Sequence, residues 1–318
     1  MSVAQFLASE HATAFSFEIL PPLRGKSIEN AFQTIDKLME FNPAYINITT
    51  HRTEVVYRQV GHEGMFRMTT TQRRPGSVAI AAAIKGRYGV TTVPHIICGQ
   101  YSKQEIENQL IDLSYLGITD LLALRGDTDK SSRTFVSGDD GHDHALGLCR
   151  QIEDFNNGHM ADGEETEPVF PPFTFGVAGY PEKHDEAMNL TSDIEFLKRK
   201  VEAGAQYIVT QMFFDNKKYF NFVDNCRKAG IRVPIVPGLK PLTSLRQMAL
   251  LPKTFHIDFP EDLSRELLRC NDNNDVKRLG IEWGTAQARE LKAAGVPSIH
   301  FYSMNASNSV AEIARRVF

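Results

Sequence analysis

The stretch Leu121-Leu122-Ala123-Leu124-Arg125-Gly126-Asp127 decides the reading of the fold. Four apolar residues in a row suit a strand of a parallel sheet, where both faces are covered and polar alternation disappears. The run stops in a cation, a glycine and a carboxylate, and residues just past the carboxyl end of a parallel strand are where barrels and open sheets hold their chemistry. Gly126-Asp127 is also ordinary turn chemistry, so the stretch alone equally fits a plain strand-to-turn junction.

Upstream, Phe15, Phe17 and Ile19 alternate around Glu18 and run into Pro21-Pro22, which places a carboxylate on stiff backbone at a strand end. Ile28, Phe32, Ile35, Leu38 and Met39 recur at helical spacing, and the strand Tyr45 to Thr49 follows, with the polar cluster Thr50, His51, Arg52 after it. An alanine-rich helix lies within Arg73 to Arg87, a strand spans Val90 to Cys98 with His95 near its end, and a helix runs from Lys103 to Leu116 with Gly117 closing it.

Downstream, the rhythm breaks between Asp127 and Pro172 and resumes with the strand Phe173 to Ala178 and the motif Gly179-Tyr180-Pro181-Glu182-Lys183-His184. A loop of that length is unusual inside one domain, so we expect an insertion at about 128–172, with a helix around His144 to Phe155 inside it. Strands Tyr207 to Met212, Val233 to Gly238 and Ser298 to Ser303 complete a set of eight alternating with helices. The pattern predicts an α/β eightfold β/α (TIM) barrel forming a single domain over 1–318, with an insertion after strand 4; a doubly wound open sheet is the alternative.

With 318 residues, 42% of them hydrophobic and 9% aromatic, the chain can bury one large core. A formal net charge of -4 offers no basic stripe for nucleic acid, so a small-molecule partner is expected. Cys98, Cys149, Cys226 and Cys270 stand far apart and read as reduced thiols. The first ten residues lack a secretory profile and no apolar run is long enough to span a bilayer, which together lead to the expectation of a cytoplasmic protein with no membrane partner.

A barrel would gather Glu18, Thr49, His95, Asp127, Tyr180, Gln211 and Met304 on one rim. Glu18 and Asp127 suit a division between proton donation and electrostatic stabilisation, if their surroundings separate their proton affinities. No Walker loop or G-x-G-x-x-G fingerprint is present, so phosphates would be gripped by side chains and helix ends. Asp139, Asp140, His142, Asp143 and His144 form a competing metal-type set in a glycine-rich acidic stretch, the basis of an alternative as a barrel metal hydrolase.

In order along the chain, Phe17-Glu18-Ile19-Leu20-Pro21-Pro22, Pro94-His95, Ala123-Leu124-Arg125-Gly126-Asp127, Tyr180-Pro181-Glu182-Lys183-His184, Leu197 to Ala205, Thr210-Gln211-Met212-Phe213-Phe214-Asp215, Pro237-Gly238 and Phe301-Tyr302 resemble the flavin-dependent methylenetetrahydrofolate reductases. The resemblance implies a barrel holding FAD noncovalently and reducing 5,10-methylenetetrahydrofolate to 5-methyltetrahydrofolate with NADH or NADPH, in one-carbon metabolism and methionine biosynthesis. It implies that Glu18 is the general acid and that Asp127 faces the pterin. It assigns FAD contacts to Thr50, His95, Arg125, Gly126, Asp127, Tyr180, His184, Ala187, Asp193, Arg199 and Lys200, nicotinamide contact to Thr49, and folate contacts to Asp127, Gln211 and Gln247. Gln211 would serve the nicotinamide as well.

The chain departs from the family pattern at Ile19-Leu20, Thr50-His51, Leu251 and Ala306. Ending soon after the eighth strand and helix, it is expected to lack the regulatory domain that binds S-adenosylmethionine in longer members. A homo-oligomer is expected, with a folate-binding protein that has lost turnover as a further alternative.

Overall fold

The computed structural model describes residues 1–51, 53–61, 64–127, 135, 137, 138, 140–304 and 306–318. Its strands are β1 (Ala14–Ile19), β2 (Tyr45–Ile48), β3 (Glu54–Val60), β4 (Met65–Thr71), β5 (Thr92–Ile97), β6 (Asp120–Leu124), β7 (Thr174–Gly179), β8 (Tyr207–Met212), β9 (Ile235–Leu239) and β10 (Ser298–Tyr302). The α-helices are α1 (Val3–Ala8), α2 (Glu29–Asp36), α3 (Ser77–Tyr88), α4 (Lys103–Tyr115), α5 (Ala145–Asn156), α6 (Leu190–Glu202), α7 (Asn216–Lys228), α8 (Gln247–Phe255), α9 (Glu261–Leu268), α10 (Asn273–Ala293) and α11 (Ser307–Val317).

Eight of the strands close a parallel barrel in the order β1-β10-β9-β8-β7-β6-β5-β2, as the alternation of strands and helices requires. Side chains alternate across each strand. Phe15, Phe17 and Ile19 therefore pack outward with the helices, among Ile46, Leu121, Phe175 and Phe301, while Ser16 and Glu18 turn into the barrel.

The amino-terminal end of the interior is filled by Tyr45, Val93, Leu122, Tyr207 and Val236, against which α1 lays Val3, Ala4 and Leu7. The Asp120 carboxylate accepts the Val3 N–H at 2.7 Å and the Thr174 hydroxyl at 2.8 Å, fastening this plug. Gly176 leaves room for the Tyr207 ring, since a Cβ there would stand 2.3 Å from it. One end of the barrel is thus solid, and chemistry is left to the other.

Two features differ from the sequence reading. The helix expected around His144 to Phe155 is present as α5; what differs is its place, since an insertion was expected at 128–172, whereas its Leu148, Cys149, Ile152 and Phe155 are buried in the main core. This is the crossover helix that any barrel needs after its fourth strand, and it packs beside β6, α4 and α6. After it the chain folds back on Asn156, whose side chain accepts the Phe173 N–H at 2.7 Å and donates to the Phe173 carbonyl at 3.0 Å. Residues 128–134, 136 and 139 of that stretch lie outside the described residues.

The departure from the strand-helix rhythm that the sequence reading passed over is β3–β4, an antiparallel hairpin after the second barrel strand. Two runs of β-branched and aromatic residues flank a turn in which Gly61 and Gly64 take φ of 76° and 66°. Left-handed backbone at those positions favours glycine. Tyr57, Phe66 and Met68 project from the ribbon, each more than 60% exposed.

Candidate active site

Glu18 sits one residue before the end of β1, in register with Tyr302 on one side and Asn47 on the other. It is only 3% exposed. Burial pushes its carboxyl up from 4.5 to about 8, against a downward pull from Lys240. A neutral carboxylic acid is thus held inside the barrel at physiological pH, the condition for donating a proton there. Its neighbour Tyr302 turns its ring over Gly238, where a Cβ would meet it at 2.5 Å, and donates its hydroxyl to the Thr210 carbonyl at 2.5 Å.

His95 of β5 is also inward and buried, with Nε2 3.2 Å from Asn47 Nδ2. Burial, with His51 nearby, lowers it to about 3, so the ring is neutral. Its carbonyl accepts the hydroxyls of Thr50 at 2.5 Å and Ser77 at 2.9 Å, which ties the end of β2 and the start of α3 to β5. Asn47 Oδ1 and His51 Nε2 are buried without a hydrogen-bond partner among the described residues. A buried amide oxygen and a buried imidazole nitrogen left open in this way want a hydrogen-bond partner from a bound molecule.

A second arc of polar side chains crosses the ends of β6 and β7. Arg125 lies over the Phe135 ring at 4.7 Å and pairs with Glu186. Gly126 takes φ of +91°. Tyr180 meets His184 edge-on at 4.7 Å, and burial raises its phenol above the ordinary range. Asp193 accepts the His184 N–H at 2.9 Å, and the Ala187 N–H reaches the His184 carbonyl at 3.1 Å. Lys200 reaches back to the Ala178 carbonyl at 3.0 Å, with its ammonium depressed by burial.

Arg125, Tyr180, His184, Ala187, Asp193 and Lys200 therefore form one neighbourhood, with Gly126 at its edge. Arg199 does not join it: it is exposed and lies over Phe196 at 5.5 Å. Successive helix residues point about 100° apart, which explains the split between Arg199 and Lys200. Asp127 is exposed at the rim and acts electrostatically on both His51 and Tyr180.

Thr49 is buried and donates its hydroxyl to the Ile19 carbonyl at 3.3 Å. Gln211 stands half-buried on β8, with Oε1 accepting the Met212 N–H at 2.9 Å. Gln247 spends its Oε1 on the N–H groups of Thr243 and Ser244 at 2.7 and 3.1 Å, fixing the turn into α8. Asp139 of the metal-type set lies outside the described residues, and His142 Nε2 meets Gln151 at 2.7 Å. Among the described residues no three His, Cys, Asp or Glu side chains cluster as metal ligands.

Lys240 and Asn47 were missed by the sequence reading. Lys240 continues the inward phase of Val236 and Gly238, so the signal was a charged residue two places beyond an inward glycine.

The family model for methylenetetrahydrofolate reductase matches residues 3–317. The chain belongs to the methylenetetrahydrofolate reductase family. Within it, the chain is 31% identical over 295 residues to the 5,10-methylenetetrahydrofolate reductase of Buchnera aphidicola, covering 92% of this chain and 87% of that one. It is 30% identical over 311 residues to methylenetetrahydrofolate reductase (NADH) 1 of Arabidopsis thaliana, covering 95% of this chain and 48% of the plant protein. The chain thus spans about half the length of the plant relative. The reductase-family barrel is also similar to a Clostridium thermocellum protein that binds two copies of 5-methyl-5,6,7,8-tetrahydrofolic acid, at a TM-score of 0.57 and 14% identity, covering 98% of this chain and 97% of that one. That likeness bears on the fold.

Proposed function

We propose that this protein is a reductase that converts 5,10-methylenetetrahydrofolate to 5-methyltetrahydrofolate with bound FAD, using NADH or NADPH. The observation that carries the reading is Glu18, a buried acid still protonated near neutral pH, in the open end of a reductase-family barrel. Opening the five-membered ring of the substrate needs a proton on a ring nitrogen, and a donor with an affinity near the working pH does this best. Glu18 supplies that proton.

The positive charge then developing on the substrate favours a nearby anion, a role suited to Asp127 at the rim. Gln211 is half-buried, and its amide both donates and accepts, which suits the edge of a pterin. Thr49 and Gln247 are assigned to the nicotinamide and folate sides respectively. Their present hydrogen bonds make them walls of the site as much as direct contacts.

The donor set fits FAD. Arg125, His184 and Lys200 offer cationic or hydrogen-bonding groups to phosphates and ribose. Asn47 Oδ1 and His51 Nε2, without partners among the described residues, lie near Thr50 and His95, where a ring system carrying both N–H donors and nitrogen or oxygen acceptors would satisfy them. When bound, FAD supplies the two-electron store that takes hydride from the nicotinamide and returns it to the one-carbon unit. The residues assigned to it here are Thr50, His95, Arg125, Gly126, Asp127, Tyr180, His184, Ala187, Asp193 and Lys200, with Arg199 at the outer margin.

The same reading places the protein in the cytoplasm, in methionine biosynthesis, as a homo-oligomer. Among the described residues no helix is long and apolar enough to cross a membrane.

The test is an anaerobic stopped-flow record of the flavin-loaded protein. Bleaching by NADH or NADPH followed by recolouring on addition of methylenetetrahydrofolate is the expected result. Reduced flavin that ignores the folate would overturn the reading. Glu18→Gln should leave the bleaching rate nearly unchanged and slow the recolouring by about 100-fold or more.

A further inference from the structure

We propose that Lys240 is the charge partner of Glu18, the buried cation that stabilises the carboxylate left behind when Glu18 gives up its proton. The inference deepens the reading of Glu18 as the acid and rests on it. Lys240 follows β9 directly and is 9% exposed, so its ammonium lies inside the barrel rather than in water. Glu18 pairs with Tyr302, and Phe301 pairs with Leu239, so one strand register sets Glu18, Tyr302 and Lys240 in a row across β1, β10 and the end of β9.

The ring of the middle residue does not fill the space between them. Tyr302 leans across Gly238 to reach the Thr210 carbonyl, so its ring is drawn toward β8. Among the described residues, the hydrogen-bond partner of the ammonium is the Met304 thioether, 3.5 Å away. A thioether is a weak acceptor for a group with three strong donors. An anion formed beside such a buried cation offsets part of the cost of keeping it charged.

Among the described residues, no other titratable group around Glu18 supplies a positive charge to its carboxylate. Tyr302, and Tyr180 beyond it, are held neutral by burial, and so are His95 and His300. Arg74 is directed to the Pro21 carbonyl past the strand end. Lys240 is the cation among the described residues whose field reaches the Glu18 carboxyl; burial lowers the Lys240 ammonium below its ordinary range, and Glu18 pulls the other way by favouring its charged form.

The step balances without a further reactant. The Glu18 O–H bond breaks, its electron pair stays on the carboxylate, the proton forms an N–H bond on the substrate, and Lys240 keeps its three protons. Before the step the pair carries one positive charge; afterwards it is neutral and the substrate carries the charge. Lys240 is a positioning residue here, because it acts through Glu18.

The experiment follows Glu18 directly. Protein labelled with 13C at the glutamate side-chain carboxyl is titrated by NMR, with Glu18→Gln identifying the signal. Lys240→Met should move the Glu18 midpoint upward by about one to two pH units, as expected for loss of a unit charge several ångströms away in a partly screened interior. It should also move the alkaline limb of single-turnover folate reduction upward by a similar amount and slow that step about five- to tenfold at pH 7, leaving flavin reduction by the nicotinamide unchanged.

Lys240→Arg should restore the midpoint and the limb. An unmoved midpoint in Lys240→Met, or a charge-conserving variant that fails to restore it, overturns the partnership. If Glu18→Gln still reduces folate at the normal rate, the acid role of Glu18 fails instead, and the titration still answers whether Lys240 sets its charge.

Discussion

Replacing Glu18 by Gln should make the protein more stable, increasingly so as pH rises. Glutamine has the shape of the protonated side chain and cannot ionise. In the folded protein the Glu18 carboxyl is raised from 4.5 to about 8, so between those values the unfolded chain releases a proton that the folded chain retains. Stability therefore falls with rising pH across that window, is unaffected below it, and stays at its lowered level above it. Each unit corresponds to about 1.4 kcal/mol, so the full penalty is about 5 kcal/mol.

The gain from Glu18→Gln should grow by about 3 kcal/mol between pH 5 and pH 7.5. Equilibrium urea unfolding of both proteins at several pH values, with FAD at one saturating concentration throughout, measures the difference. A gain that does not change with pH, or that shrinks as pH rises, would refute the claim that Glu18 is a desolvated acid.

Three further outcomes follow from the packing. His95 and His300 are lowered from 6.5 to about 3, so both stay neutral in the fold while the unfolded chain takes up protons; stability should decline as pH falls from 6.5 toward 3, and His300→Gln should make that decline shallower by one proton in the same urea titration. Gly238→Ala would set a Cβ 2.4 Å from the Thr210 carbonyl oxygen and 2.5 Å from the Tyr302 ring; a loss of about 1–3 kcal/mol in urea unfolding is expected, together with slower folate reduction. Asn156→Ala removes both hydrogen bonds to Phe173 and should cost about 2 kcal/mol without changing either half-reaction, read by unfolding and stopped flow together.

The barrel was legible because its strands are short apolar runs ended by polar residues, and β8 was placed at its observed limits, Tyr207–Met212. The residues around Arg125, Tyr180 and His184 were reached through family motifs, and the fold brings them together by ordinary strand-end geometry. What escaped the sequence reading has physical reasons. The six-residue helix α1 offers too short a period to detect, and its place is set by the barrel end it covers. The hairpin carried the usual signal, two β-rich runs around Gly61 and Gly64, but it interrupts an alternation that otherwise accounts for the chain.

The stretch after the fourth strand looked like an insertion because glycines and acids surround a perfectly regular crossover helix. Lys240 was hidden for a different reason. A lysine after a strand reads as solvated surface until the closure of the barrel shows that its phase points inward.

The closed ring also has a mechanical consequence. Each of its eight strands is bonded on both sides, whereas β3–β4 forms a sheet of two strands. Two strands alone are marginally stable in water, so the ribbon opens by its own local transition while barrel amides wait for a far larger one. In deuterated buffer the molecule should therefore keep two clocks: amides of β3 and β4 exchanging early, and those of β5, β6 and β8 exchanging only on the schedule of global unfolding.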